Sequence, residues 1–248
     1  VSTGAPSTRR ESRRHALLGA AALGLAALAG WGAWRDRAGP PPTRPIPTAP
    51  GFLRLDRGAS ASGADLLTLG LDAGTPPEPM AREALCAALF RAGDPGVPVA
   101  VFSDYRCPTC PALASRLRGL GGPALSITWH EWPILGAASV FSAKVALAAG
   151  LQGRHDEMHA HLTRRFLRPS EAGAHEAAEA IGLDAGRLVA DMQGPAVAAR
   201  LAETARLAAL FGFRGTPSAV VGGTATEGLV DAATLRRLAE AGAGPCRG

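Results

Sequence analysis

The stretch Val97 to Pro111, V-P-V-A-V-F-S-D-Y-R-C-P-T-C-P, restricts the fold more than any other part of the chain. Val97, Val99, Val101 and Phe102 form a short apolar run rich in β-branched residues, the composition of a buried strand. Ser103 to Arg106 are polar and end it. Cys107 and Cys110 follow with two residues between them, and Leu113, Leu117 and Leu120 then recur at the spacing of one helical stripe. The order strand, short loop, Cys-x-x-Cys, helix places Cys107 at a helix start. Unpaired backbone N–H groups and the helix dipole favour an anion there, and the thiolate is the reactive form of cysteine. Pro108 suits a first helical turn, where its missing N–H is not needed. A closed zinc site needs four ligands, and the sequence holds no second close cysteine pair. The pattern reads as a redox dithiol, with Cys107 the exposed nucleophile and Cys110 the resolving partner.

The chain before this unit divides by composition. Residues 1–14 carry Arg9, Arg10, Arg13 and Arg14 against Glu11, and Ala16 to Trp34 holds no charge. Residues 1–34 therefore read as a signal peptide or membrane anchor. Ala27-Leu28-Ala29 fits a cleavage site, whereas the length of the uncharged run and the terminal Trp31 and Trp34 fit a span. Ser12 to Leu18 is similar to a twin-arginine export signal. Residues 35–80 are rich in proline and glycine and are expected to be a linker. A compact domain is expected over 81–248, opening with a short helix that carries Cys86.

Four cysteines allow three pairings. If Cys107 and Cys110 pair locally, Cys86 and Cys246 are left either to staple the two ends of the domain or to remain thiols. The net charge of +5 comes mainly from scattered arginines without interleaved aromatics, so no nucleic-acid partner is expected.

Cys-Pro-Thr-Cys after F-S-D-Y-R resembles the active site of the thioredoxin superfamily, in its DsbA-like branch. Thr128 to Gly136, T-W-H-E-W-P-I-L-G, resembles the core strand that leaves the sheet toward a helical insertion. Phe213-Arg214-Gly215-Thr216-Pro217 before the apolar Ser218 to Val221 resembles the cis-proline loop and its following strand. The resemblance covers about residues 98–241. It implies an α/β thioredoxin fold with an all-helical insertion at about 139–211 between the core strands. It implies that Pro217 is cis, and that Thr216 offers backbone hydrogen bonds to an extended substrate bordered by Pro108 and Thr109. The strongest oxidants of the family carry histidine where Thr109 stands, so a weaker oxidant is expected. Val101 occupies the place of a buried acid found in some members. Asp104 and Glu131 are the alternative proton acceptors, although each reads more simply as a solvated loop carboxylate.

The expected function is thiol–disulfide exchange on exported protein thiols at the periplasmic side of a bacterial inner membrane. Disulfide formation is the preferred direction, with a membrane redox partner recycling the dithiol, membrane attachment through the N-terminal segment, and no cofactor. The alternatives are a periplasmic reductase or isomerase, and a copper-handling chaperone using Cys107, Cys110 and the cluster His155, Met158, His159 and His161. Met158 and His159 followed by Leu162 also fit ordinary helix packing, so no metal ligand is assigned.

Overall fold

Strand β3 (Val97–Ser103) organises the sheet because its alternation is apolar on both sides. Val99 and Val101 face one way, with Leu113, Leu117, Trp129, Ala219, Val221, Leu235 and Leu238. Ala100 and Phe102 face the other, with Leu85, Leu89, Leu207, Leu210, Phe211, Phe213 and Val220. A strand buried on both faces needs a neighbour at each edge and a helical layer on each side, and β3 has both.

In the computed structural model, residues 42–55, 77–122, 124–242 and 244–246 are described. The leader expected over residues 1–34, and residues 35–41 and 56–76 of the expected linker, lie outside them. Among the described residues, β1 (Thr43–Pro45), β2 (Leu53–Leu55), β3, β4 (Leu125–Glu131), β5 (Ser218–Val221) and β6 (Thr224–Glu227) make one mixed sheet. Its order is β1-β2-β6-β5-β3-β4. β4 lies parallel to β3, whereas β5 is antiparallel to both β3 and β6. Gly96 makes the entry to β3 possible, because a Cβ there would stand 2.5 Å from the Ala124 carbonyl oxygen. The same carbonyl accepts from Val97 N at 2.7 Å.

The helices are α1 (Arg82–Leu89), α2 (Cys110–Arg118), α3 (Ala137–Leu151), α4 (His155–Arg164), α5 (Glu171–Glu179), α6 (Ala185–Asp191), α7 (Pro195–Leu210) and α8 (Ala232–Glu240). The mixed sheet carries a helical insertion between β4 and β5, the arrangement that the resemblance implies. Helices α3 to α6 and the start of α7 close on a core of their own, with Met158, Leu162, Leu188, Met192 and Val197 at its centre. The second half of α7 returns to the sheet through Leu207, Ala208 and Leu210. Asp231 caps α8, accepting from Thr234 N at 2.9 Å.

Part of the stretch expected to be a linker belongs to the sheet. β1 and β2 form an antiparallel hairpin, and β2 pairs in parallel with β6. The cause is a set of apolar residues spaced among the prolines: Ile46, Ala49 and Phe52 are buried in the α1/α7 layer. The Phe52 ring meets Phe211 edge-on at 5.2 Å, and the Thr48 hydroxyl donates to the Leu210 carbonyl. Pro45 is tolerated because β1 is the outermost strand, where a missing N–H costs no ladder bond.

Candidate active site

The two free cysteines sit where β3 gives way to α2, but not in the expected helical register. Helix α2 begins at Cys110 with Thr109 as its cap, so Cys107 precedes the helix in a turn closed by its N–H to the Asp104 carbonyl at 3.0 Å. Pro111, not Pro108, occupies the first turn of the helix. Cys107 is also covered, not exposed as expected, with 5% of its surface open, and the two cysteines are not bridged to each other.

Hydrogen bonding favours the anion on one sulfur of the pair. The Cys107 thiol falls from its ordinary 9.0 to about 5, chiefly through donation from Cys110, against the opposing effect of burial. The hydroxyls of Thr109 and Thr216 and the Thr109 backbone add to this, with Thr109 Oγ1 3.5 Å from the sulfur. Cys110 shifts the opposite way, raised by its hydrogen bond to Cys107 and by burial. The arrangement supplies a thiolate held next to a thiol that keeps its proton. The Thr216–Pro217 peptide bond is cis and its loop borders Cys107, with the Thr216 side chain contributing to the thiolate. Pro108 and Thr109 are exposed between the sulfurs.

Asp104 and Glu131, expected to be solvated, are both buried. The Asp104 carboxylate accepts from three backbone N–H groups: Arg106 at 2.8 Å, Ile134 at 2.8 Å and Leu135 at 2.9 Å. It ties the turn before Cys107 to the segment leaving β4. Glu131 stands at the end of β4, where Oε1 accepts from the Tyr105 hydroxyl at 2.7 Å and contacts His159 Nδ1 at 2.9 Å and His155 Nε2 at 3.2 Å. His155 in turn faces Asp156, which Arg91 grips through two nitrogens. The His159 ring stacks on Trp129 at 4.2 Å. The expected histidine cluster is therefore split: His155 and His159 are committed to a carboxylate, while His161 lies along a cavity with Phe166. Among the described residues, no group of three or more His, Cys, Asp or Glu is placed to hold a metal ion.

At the far end of the domain, Cys86 on α1 and Cys246 form a disulfide with a Cα–Cα distance of 5.3 Å. Their meeting depends on a close approach of backbone, since a Cβ on Gly244 would lie 2.3 Å from Gly223 N.

Residues 98–241 match the DSBA-like thioredoxin domain family. The chain belongs to the DsbA-like thioredoxin family. By domain and structure that family is one of thiol–disulfide oxidoreductases. The DsbA-like chain is similar to a thioredoxin-like oxidoreductase from Silicibacter pomeroyi DSS-3, with 36% identity and a TM-score of 0.55, covering 59% of this chain and 86% of that one. It shares a fold with the thiol-disulfide exchange protein alpha-DsbA2 from Wolbachia pipientis at 22% identity and a TM-score of 0.54, covering 61% and 84% of the two chains. It is also 30% identical over 159 residues to the Na(+)/H(+) antiporter NhaA 1 of Mycobacterium sp. (strain KMS), covering 60% of this chain. The chain spans 26% of the length of that curated relative.

In this DsbA-like site, the Tyr105–Glu131–His159–His155 group is what residue patterns missed, because Glu131 meets its partners only across the insertion. It predicts a pH signature. Burial opposes the charge on Glu131, but His159 and His155 outweigh it and hold the carboxyl at about 2, below its ordinary 4.5. Burial likewise opposes the charge on His155, but Asp156 and Glu131 outweigh it and hold its pKa at about 9, above 6.5. A depressed carboxyl stabilises the fold above about 4.5 and loses that contribution as pH falls through about 2. A raised histidine stabilises fully below about 6.5 and loses its contribution as pH rises through about 9. Melting temperatures of Glu131→Gln and the parent should therefore differ most between these limits, and converge toward either extreme. A difference that stays constant with pH would contradict the ion pair.

Proposed function

We propose that this protein oxidises thiols in exported polypeptides, passing the Cys107–Cys110 disulfide to them. The observation that carries this is the opposed pair of sulfurs: stabilising the Cys107 thiolate stabilises the reduced enzyme, which makes its disulfide a better oxidant. Thr109 and Thr216 supply only neutral hydrogen bonds to that thiolate, so the oxidant is of moderate strength. Export is supported by the basic and then uncharged residues 1–34, and by a Cys86–Cys246 disulfide of the kind that persists in oxidising compartments. Similarity to a segment of membrane antiporters fits work beside a membrane. Ion transport itself is not carried over, since the chain spans only 26% of the antiporter's length.

Chemistry proceeds in two exchanges. A substrate thiolate attacks Cys107 Sγ of the oxidised enzyme, the Cys107–Cys110 bond breaks, and Cys110 leaves with the electron pair and takes up a proton. The substrate's second thiolate then attacks its own sulfur in the mixed disulfide and expels Cys107, whose low pKa makes it the better leaving group. The substrate loses two electrons and the enzyme dithiol gains them. A membrane redox partner would remove them again. Backbone groups of Thr216 beside cis-Pro217 would hold the substrate extended, with Pro108 and Thr109 along its edge.

The test is the equilibrium of the dithiol against glutathione, combined with oxidation of a reduced two-cysteine peptide and reduction of insulin. Rapid peptide oxidation with weak insulin reduction is expected. The reverse ranking would favour the reductase.

A further inference from the structure

We propose that the rim beside Cys107 selects polypeptide thiols flanked by acidic residues, and that Arg106 is the specificity-determining residue. This rests on the reading that Cys107 exchanges with polypeptide thiols, and it names which ones.

Arg106 precedes Cys107 directly, is exposed, and holds its guanidinium 5.3 Å from the centre of the Phe166 ring. Phe166 follows α4 in the insertion and is 83% exposed, more than any other large apolar residue described. Burying a phenylalanine is worth about 1.5–3 kcal/mol, whereas an exposed cation–π contact returns only about 0.5–1 kcal/mol. Stability therefore does not account for an aromatic held out in solvent beside the nucleophile. The same Asp104 carboxylate that fixes the Arg106 backbone also fixes those of Ile134 and Leu135, which are 40% and 49% exposed. One buried acid thus fixes the backbone of a cation and of two exposed apolar residues to the turn that carries Cys107.

Neither the charge of Arg106 nor that of the segment carrying Phe166 is neutralised. Arg106, Arg164, Arg165 and Arg168 form no ion pair among the described residues, whereas Arg91, Arg154, Arg187 and Arg200 each have a carboxylate partner. After burial, the charges of Arg165 and Arg164 are what lower the His161 pKa, so they act together at the segment that carries Phe166. Asp104, the acid closest to Arg106 in the chain, is turned inward onto its three N–H donors. An extended polypeptide advances about 3.3 Å per residue, so side chains next to a cysteine docked on Cys107 fall within reach of a guanidinium one residue away. Complementary charge there speeds encounter with acidic segments and rejects basic ones.

The test uses the oxidised full chain with dithiothreitol and with two synthetic peptides of one length. Each peptide has a single cysteine, flanked on both sides by aspartate in one and lysine in the other. At low salt the acidic peptide should react about tenfold faster than the basic one. The ratio should fall toward unity near 1 M salt, where screening acts within about 3 Å. Arg106→Glu should invert the ratio and Arg106→Lys should keep its sign. A wild-type ratio of one, with dithiothreitol and both peptides reacting, would overturn the proposal and leave the exchange chemistry standing. Failure to react even with dithiothreitol would overturn both.

Discussion

Cys107→Ser is expected to stop disulfide exchange, lowering turnover of a two-cysteine peptide by a factor on the order of 10³ or more, because a hydroxyl at this site offers no comparable nucleophile or leaving group. Cys110→Ser should behave differently. It cannot form the enzyme disulfide and loses the Cys110 hydrogen bond, but the Cys107 thiolate keeps the hydroxyls of Thr109 and Thr216. That thiolate can still attack a disulfide already present in a polypeptide, expelling one of its thiolates with no Cys110 thiol to resolve the product. Mixed disulfides between Cys107 and polypeptides should then accumulate and be visible by mass. Serine is close to cysteine in size, so both variants should keep the melting temperature near that of the parent. Both variants lose peptide oxidation, so the yield of trapped mixed disulfide separates them: equal yields in the two would contradict the division of labour between the sulfurs.

The second large effect belongs to the other pair. Replacing Cys86 and Cys246 together by alanine should cost about 2–4 kcal/mol of stability, read as a lower denaturant midpoint. The bridge closes a sequence separation of 160 residues. Chain entropy alone would put such a loop at roughly 5 kcal/mol, from which residual order in the unfolded chain is subtracted. Cys86 lies on α1, whose Leu85 and Leu89 are fully buried, so α1 is the element most exposed to this loss. Exchange at Cys107 should persist in the double variant below its transition. An unchanged midpoint would mean that α1 and the C-terminal turn hold without the bridge.

The parts of this molecule legible from sequence are those whose determinants are local. The β3–Cys-x-x-Cys–α2 unit, the β5–β6 hairpin and the Asp231 cap each depend on residues within one short window. The start of α2 differed by three residues because Pro108 and Pro111 both suit a first turn, and only packing of Leu113 and Leu117 under β3 chooses between them. The β1–β2 hairpin was hidden because Ile46, Ala49 and Phe52 form no periodic pattern, and their burial depends on α7, far along the chain. Glu131 looked solvated for the same reason. Its histidine partners lie on α4, and nothing in W-H-E-W predicts that this strand end is roofed by the insertion. Asp104 left a fainter local signal, an acid two residues ahead of the N–H it accepts from, but its bonds to Ile134 and Leu135 require β4 to be in place.

Everything proposed for the site rests on an ionised sulfur at Cys107. The reduced protein, with Cys86–Cys246 intact, should be titrated by the pH dependence of iodoacetamide alkylation at Cys107, alongside thiolate absorbance near 240 nm. A midpoint at about 5, with Cys110 unreactive across the neutral range, is the predicted result. A midpoint near the ordinary 9.0 would contradict it.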